Sequence, residues 1–479
     1  MTKISNKFII FSLIAVFSCT FEPKYQKPTS PIAQDKIKNV DLIKNDDSSN
    51  VFNKEDNSPI KDILWRDFFS NKNLQKVIEI ALENNRNLKI AALNIEAARS
   101  YYGISRSALF PAISANNSLT RSKSSNSDQI ANSFNSNLAI TSFEIDFFGK
   151  FRNIKKASLQ NFLATKQAHD IIQITLIAQA ADAYLEFLLN HQNMLIAQEI
   201  LEVNQQQFLI IKMRYESGID PKVRYLDQKN KLNQAKIDLA NYQQIVSKNK
   251  NILKFLLGNS DKQVFNYEEI DLIDEVQFDE KLLSFIPSIK LLQRPDIQQA
   301  EFNLKAANAN IGAARAAFFP SIMITGSAGY SSSKLDDLFS NPLSWSYTPK
   351  ISLPIFSGLS NWSNLNLSHI RKKIEIVKYE QTIERAFKEL LDYLAVKKST
   401  QAQLELSQEI FDLQSEIYQI SLSRYNLGNE SKFNNLNQNI IFLKAKQQYL
   451  EAKKNHLSSL INIYKALGGD VISNSNIRI

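Results

Sequence analysis

The sequence is poor in glycine. It has 11 among 479 residues, roughly a third of the usual share of about 7%. So few glycines leave few tight turns and favour long regular elements. Cysteine is nearly absent, and a lone thiol, Cys19, excludes an intrachain disulfide. Neither G-x-G-x-x-G nor G-x-x-x-x-G-K-[ST] occurs, so no nucleotide site is signalled. The four histidines are His169, His191, His369 and His456. No two lie within four residues of each other, so paired zinc-ligand spacing is missing. Each is expected at the surface or in the wall of a helical barrel. Without H-E-x-x-H, G-x-S-x-G or a Cys/His pair, no enzyme and no cofactor is read. Four methionines offer no Met-lined copper route. The net charge is +9, from 57 basic and 48 acidic residues. These are spread along the whole chain, not gathered on one stretch, which argues against nucleic acid.

What is present begins at the N-terminus. Lys3 and Lys7 precede an uncharged run from Phe8 to Phe17. That run is too short for a spanning helix of roughly 20 residues and fits the apolar part of an export signal. It ends in Val16-Phe17-Ser18-Cys19, which resembles the bacterial lipobox. Cleavage before Cys19 would remove residues 1–18 and leave a thiol for diacylglycerol. The mature chain would then lose two lysines and carry +7. Thr20, not Asp, follows the cysteine, which favours sorting to the outer membrane. A plain signal peptide with an incidental cysteine is the alternative.

The chain spells one phrase twice, GISRSALFPA at 103–112 and GAARAAFFPS at 312–321. At the same offset of 209, Gly149 meets Gly358. At 210, Gly218 meets Gly428 and Gly258 meets Gly468. Eight of the eleven glycines therefore fall into four pairs, which marks two copies of one unit. Residues 151–217 and 359–427 contain no Gly or Pro and are rich in helix formers. Gly218 and Gly428 end these runs, and second runs return over 222–257 and 429–467. Each unit thus holds a long helical hairpin with its tip at 218–221 or 428–431. Between helices, 112–148 and 321–357 are rich in Ser, Asn, Thr and aromatics. Phe143, Ile145 and Phe147 alternate, as do Trp345, Tyr347, Ile351, Leu353 and Ile355. Each segment fits two strands, either of a membrane barrel or of a soluble hairpin with one wet face. Four strands cannot close a barrel, so a spanning reading demands an oligomer. Twelve strands from a trimer would leave a lumen, whereas eight would be filled by side chains.

At this point the chain resembles the TolC-like outer-membrane factors, in the lipoprotein branch that serves resistance-nodulation-division efflux pumps. Cys19 to Pro28 is similar to that family's C-x-x-x-P-x-Y-x-x-P start. Trp65-Arg-Asp-Phe-Phe, Phe143-Glu-Ile-Asp-Phe-Phe-Gly149, Arg294-Pro-Asp-Ile297 and Tyr464-Lys-Ala-Leu-Gly-Gly469 follow in order. The fold class this implies is mainly α with membrane β. A trimeric 12-stranded outer-membrane β-barrel would continue into a 12-helix periplasmic α-barrel, built from two repeats per chain.

Its divisions would be a signal peptide at 1–18, a lipidated arm and equatorial segment at 19–64, a first repeat at 65–260, an equatorial connector at 261–290, a second repeat at 291–470 and a tail at 471–479. The implied function is the gated exit duct of a tripartite efflux system, reaching from the outer membrane into the periplasm. The implied partners are two further copies, outer-membrane lipids, a periplasmic adaptor and an inner-membrane pump. The covalent lipid on Cys19 is the only attached group. Pro111, Pro320, Gly149 and Gly358 would mark the helix–strand corners. Gly218, Asp220, Gly428 and Glu430 would meet the adaptor, or simply end helices. Phe433, Asn437 and the repeat-equivalent Asp227 would line the aperture, or face neighbouring helices in the wall. The family commonly carries Asp where this chain has Asn437. Rival readings are a one-step protein secretion duct and a coiled-coil envelope lipoprotein. The latter would not need 112–148 and 321–357.

Overall fold

The computed structural model of the chain describes residues 20–32, 64–123, 130–258, 271–280, 282 and 288–469. The leader, Cys19, residues 33–63, residues 259–270 and the tail from 470 lie outside the described residues. Short helices α1 (Trp65–Phe68) and α2 (Lys72–Asn84) precede two copies of one order. The first is α3 (Arg86–Ser107), β1 (Ile113–Lys123), β2 (Ile130–Ile145), α4 (Lys150–Glu216) and α5 (Lys222–Leu256). The second is α6 (Pro295–Ala316), β3 (Ser321–Ser332), β4 (Ser344–Ser352), α7 (Ser360–Asn426) and α8 (Lys432–Ala466). Corresponding helices match in length: 22 residues in α3 and α6, 67 in α4 and α7, and 35 in α5 and α8. A 67-residue helix is about 100 Å long.

The paired glycines stop these helices by a shared device. Gly218 has φ +76° and Gly428 φ +77°, the left-handed region that side chains avoid. In the first hairpin Ile219 N–H donates to the Arg214 carbonyl (2.8 Å) and Gly218 N–H to that of Tyr215 (2.9 Å). Asn429 and Gly428 do the same to Arg424 and Tyr425 (2.9 and 3.0 Å). Both are Schellman closures, which satisfy carbonyls the helix leaves free. The return helices start differently. Ser431 Oγ accepts from Asn434 N–H (3.2 Å) to cap α8, while α5 follows Pro221 with no side-chain cap.

The chain packs as two compact units. Among the described residues, 20–30, 93–167 and 296–382 make the first; the remainder, up to 469, makes the second. The first unit holds one antiparallel sheet in the order β1-β2-β3-β4, leaving β1 and β4 as open edges. A bulge interrupts β2 between Ile140 and Phe143. Residues 20–30 are strapped across its helices. Phe21 stacks on Phe319 (4.3 Å between centroids), which stacks on Phe148 (4.9 Å). Asn308 donates to the Pro23 carbonyl (2.8 Å) and Arg315 to that of Phe21 (3.2 Å). Lys156–Glu22 and Lys27–Glu301 ion pairs, both 2.7 Å, hold the two ends. Gly312 lies beneath, where a Cβ would stand 2.9 Å from Glu22 Cα.

The second unit has an aromatic centre. Phe68, Phe69 and Tyr464 are fully buried, and Phe68 stacks on Tyr464 at 5.0 Å. The Asp271 carboxylate accepts from Asn71 (3.0 Å), Asn73 (2.9 Å) and Tyr184 (2.8 Å). Burial, with Asp271 beside it, pushes the Tyr184 phenol above its ordinary value. Arg294, from the Arg-Pro-Asp phrase, donates to the Ala466 carbonyl (2.8 Å) and pairs with Glu389 (3.0 Å). It thereby ties the C-terminal end of α8 to the start of α6.

Candidate functional site

The sheet is the first functional element, because its register sorts its side chains onto two unlike faces. Ile145, Ile322 and Ile351 stand side by side across β2, β3 and β4, and Leu138, Ala328 and Trp345 do so further along. Ile113 and Ile140 extend this face onto β1. The opposite face carries Ser114, Asn116, Ser118 and Thr120 on β1, and Ser133, Asn135 and Asn137 on β2. Thr325 and Ser327 continue it on β3, and Ser346 and Thr348 on β4. Cross-strand hydrogen bonds knit this polar face, such as Ser327 Oγ to Ser346 Oγ at 2.9 Å. A soluble hairpin would bury its apolar face. Here Trp345 is 77% and Ile351 70% exposed, so no described residue of the chain covers that face.

The corners redirect the chain between helix and strand. Pro111 lies between α3 and β1, and Pro320 immediately precedes β3. Gly149 (φ +77°) and Gly358 (φ +56°) precede α4 and α7 by one and two residues. Asp146 caps α4, its carboxylate accepting from the N–H groups of Phe151 (3.2 Å) and Arg152 (2.9 Å). A cleft of about 260 Å³ opens here, lined among others by Glu144, Asp146, Lys150, Ser321 and Ser352.

The hairpin tips are the second element, and the two differ. Asp220, expected to face a partner, is only 7% exposed. Its carboxylate is held by Arg214 Nε (2.8 Å) and Arg224 Nη1 (3.0 Å). The Arg214 hydrogen bond leads in keeping it below the usual carboxylate range. Asp220 therefore organises the first tip and offers no free carboxylate. Glu430, its repeat partner, is half-buried, and position 434 carries Asn where the first tip has Arg224. Phe433 is not a bare apolar ring. Arg224 Cζ lies 5.5 Å from its ring centroid, and Gln207 Nε2 donates to its carbonyl at 3.5 Å. Asn437 and Asp227 are exposed, and Asp227 pairs with Lys231 at 3.0 Å. Cys19 lies outside the described residues, so its neighbours are known only from Thr20 onward.

One polar group escaped sequence reasoning. His456, expected at the surface or in the wall, is 7% exposed, and its Nε2 meets Glu280 Oε1 at 3.2 Å. Lys397 Nζ meets the other Glu280 oxygen at 2.8 Å. The His456 hydrogen bond, followed by Lys397, holds the Glu280 carboxyl down at about 2. The three residues are 117 or more positions apart along the chain except for the 59 between Lys397 and His456, and no spacing rule joins them.

The model of the family described as outer membrane efflux protein matches residues 77–259 and 286–469, one match per repeat. The chain belongs to this family. Relatives of the whole length bear it out. TtgC of Pseudomonas putida, a probable efflux pump outer membrane protein, is 34% identical over 94% of this chain and 92% of its own. SilC of Salmonella typhimurium, a probable outer membrane lipoprotein, is 31% identical over 98% of both. The crystal structure of the open state of the Neisseria gonorrhoeae MtrE outer membrane channel is similar at a TM-score of 0.79. It is 31% identical, covering 94% of this chain and 98% of that one. The resemblance read from the Arg294 and Tyr464 phrases is thus the right one, and so is the fold class of mainly α with membrane β in two repeats. As an outer membrane efflux protein the chain is a transport component of the outer membrane, in a family of channels and not of enzymes.

Proposed function

We propose that three copies of this outer membrane efflux protein close one barrel in the membrane and one helical tunnel beneath it, and that toxic small molecules leave through the shared lumen. The observation that carries this is the sheet, with an apolar uncovered face, a hydroxyl and amide face and two open edges. Three such sheets supply twelve strands and a lumen wide enough to conduct. Helix α7 supports the same assembly. Leu406, Ile410, Leu413, Ile417 and Ile420 are exposed along it at alternating steps of four and three, the seam that a second helix covers.

The proposed partners are a periplasmic adaptor at the tips and a resistance-nodulation-division pump beyond it. Gly218, Gly428 and Glu430 form the tip turns. Exposed Ile219 and Val223 add an apolar contact at the first. The resting aperture is proposed at Phe433, Asn437 and Asp227. Support for a lipid on Cys19 comes from its neighbours. Thr20 bonds Asn153 (3.1 Å) and Phe21 joins the corner stack, so the chain is already held one residue from the thiol. A Cys19→Ala variant should lose the lipid mass yet stay in the membrane; a fully soluble monomer would contradict the barrel. The efflux relatives favour this reading over a protein secretion duct. Deleting 112–148 and 321–357 tests it against a coiled-coil scaffold. The variant should lose all efflux, and retained efflux would overturn the proposal.

A further inference from the structure

The polar face of the sheet is almost free of charge, and its two exceptions do not cancel. Across the register, Glu144 on β2 pairs with Met323 on β3, which pairs with Lys350 on β4. Every other described residue on that face is Ser, Thr, Asn, Ala or Gly, apart from Met323 itself. Glu144 is already neutralised, because Lys150 Nζ meets both its oxygens at 3.1 and 3.2 Å. Asp146 beside it is paired with Arg152 and caps α4. Lys350 is exposed and stands two strand spacings from Glu144, roughly 10 Å. β1, the edge strand that would flank β4 from the next copy, contains no acid between Ile113 and Lys123. Among Glu144, Asp146, Lys150, Arg152 and Lys350, two acids meet three bases, so the Lys350 charge on the polar face is left uncompensated by this group.

We infer that Lys350 is a selectivity residue of the duct. Three copies form a cationic ring where solutes enter the barrel, favouring anions and molecules bearing a carboxylate or phosphate. This rests on the trimeric channel reading, in which the polar face lines the lumen. Rings of charged side chains set ion preference in narrow pores. The field acts on a lumen whose remaining wall, above Lys350, is hydroxyl and amide, so no second charged ring on the described strands opposes it. The cleft lined by Glu144, Lys150, Ser321 and Ser352 opens at the same end of the sheet, next to the strand ends. A single charge about 8 Å away in water changes the local concentration of a monovalent ion about twofold. Salt screens it at higher ionic strength.

The test is reversal potential in planar bilayers under a KCl gradient at low salt, on the full chain extracted in detergent. Lys350→Gln should lower the chloride-to-potassium permeability ratio at least about twofold, Lys350→Glu should lower it further, and Lys350→Arg should leave it unchanged. Thr348→Lys adds a ring one step along the same face and should raise the ratio. This gain does not depend on the Lys350 variants folding. A conducting wild type whose permeability ratio is unmoved by Lys350→Gln and Lys350→Glu would overturn the role of Lys350 and leave the channel standing. A wild-type protein without conductance would instead remove the channel reading on which the inference rests.

Discussion

Arg224 of α5 lies over the ring of Phe433 of α8, with its Cζ 5.5 Å from the ring centroid. The same guanidinium holds the Asp220 carboxylate at 3.0 Å. One side chain therefore fastens the first hairpin tip to the second. The cation–π contact is worth about 0.5–1 kcal/mol at an exposed site, a two- to five-fold change in a two-state population. Phe433→Ala and Arg224→Ala should each raise the open probability of the resting pore by about this factor, and Phe433→Ala should also widen it. Single-channel recording checks both. Conductance unchanged from wild type would remove Phe433 from the aperture.

The two faces of the sheet predict opposite tolerance at adjacent positions. Leu138 lies on the apolar face and Asn137 on the polar one. Leu138→Arg should destabilise the inserted protein by about 2–4 kcal/mol, while Asn137→Arg should be nearly neutral. Urea unfolding from lipid vesicles measures the difference. Equal costs would mean that the apolar face does not meet lipid.

Glu280 makes stability depend on acid. Its carboxyl is depressed from 4.5 to about 2 by His456 and Lys397. A depressed carboxyl contributes stability above its unfolded value, and that contribution is lost as pH falls towards the folded one. The melting difference between wild type and Glu280→Gln should therefore be full at pH 6 and shrink between pH 4.5 and 2. Thermal unfolding across that range checks it, and a pH-independent difference would contradict the pairing.

Gly103 and Gly312 stand at the same place in the repeated phrase but in different surroundings. A Cβ at Gly103 meets nothing within 4 Å, whereas at Gly312 it strikes Asn153 and the Glu22 backbone. Gly103→Ala should stabilise by about 0.5–1 kcal/mol through helix propensity. Gly312→Ala should cost about 1–3 kcal/mol by lifting the strap. Proteolysis near residue 20 should quicken only in the second variant.

That pair also shows what the sequence could and could not reveal. Paired glycines and runs without Gly or Pro locate the long helices and their tips, because chain reversal needs φ above zero there. Alternating residues locate the strands. The strap, the Arg214–Asp220–Arg224 clasp and the Glu280–His456–Lys397 group were not legible. The strap and the Glu280 group join side chains far apart in sequence, while the clasp joins residues six and four apart whose meeting depends on the geometry of the tip turn. Asp220 looked like a tip acid free to bind, although Arg214 and Arg224 lie six and four residues away; it is the Schellman turn at Gly218 that brings Arg214 back onto it. Lys350 likewise needed the register, since its meaning lies in which strands and which face surround it.

The central claim is a trimeric conducting duct. The most direct measurement is native mass spectrometry of the detergent-extracted protein followed by planar-bilayer recording of the same sample. A lipid-bearing trimer that resists SDS and opens small, gated pores is the predicted result. A monomer with no conductance would contradict it and leave the two repeats as a helical scaffold.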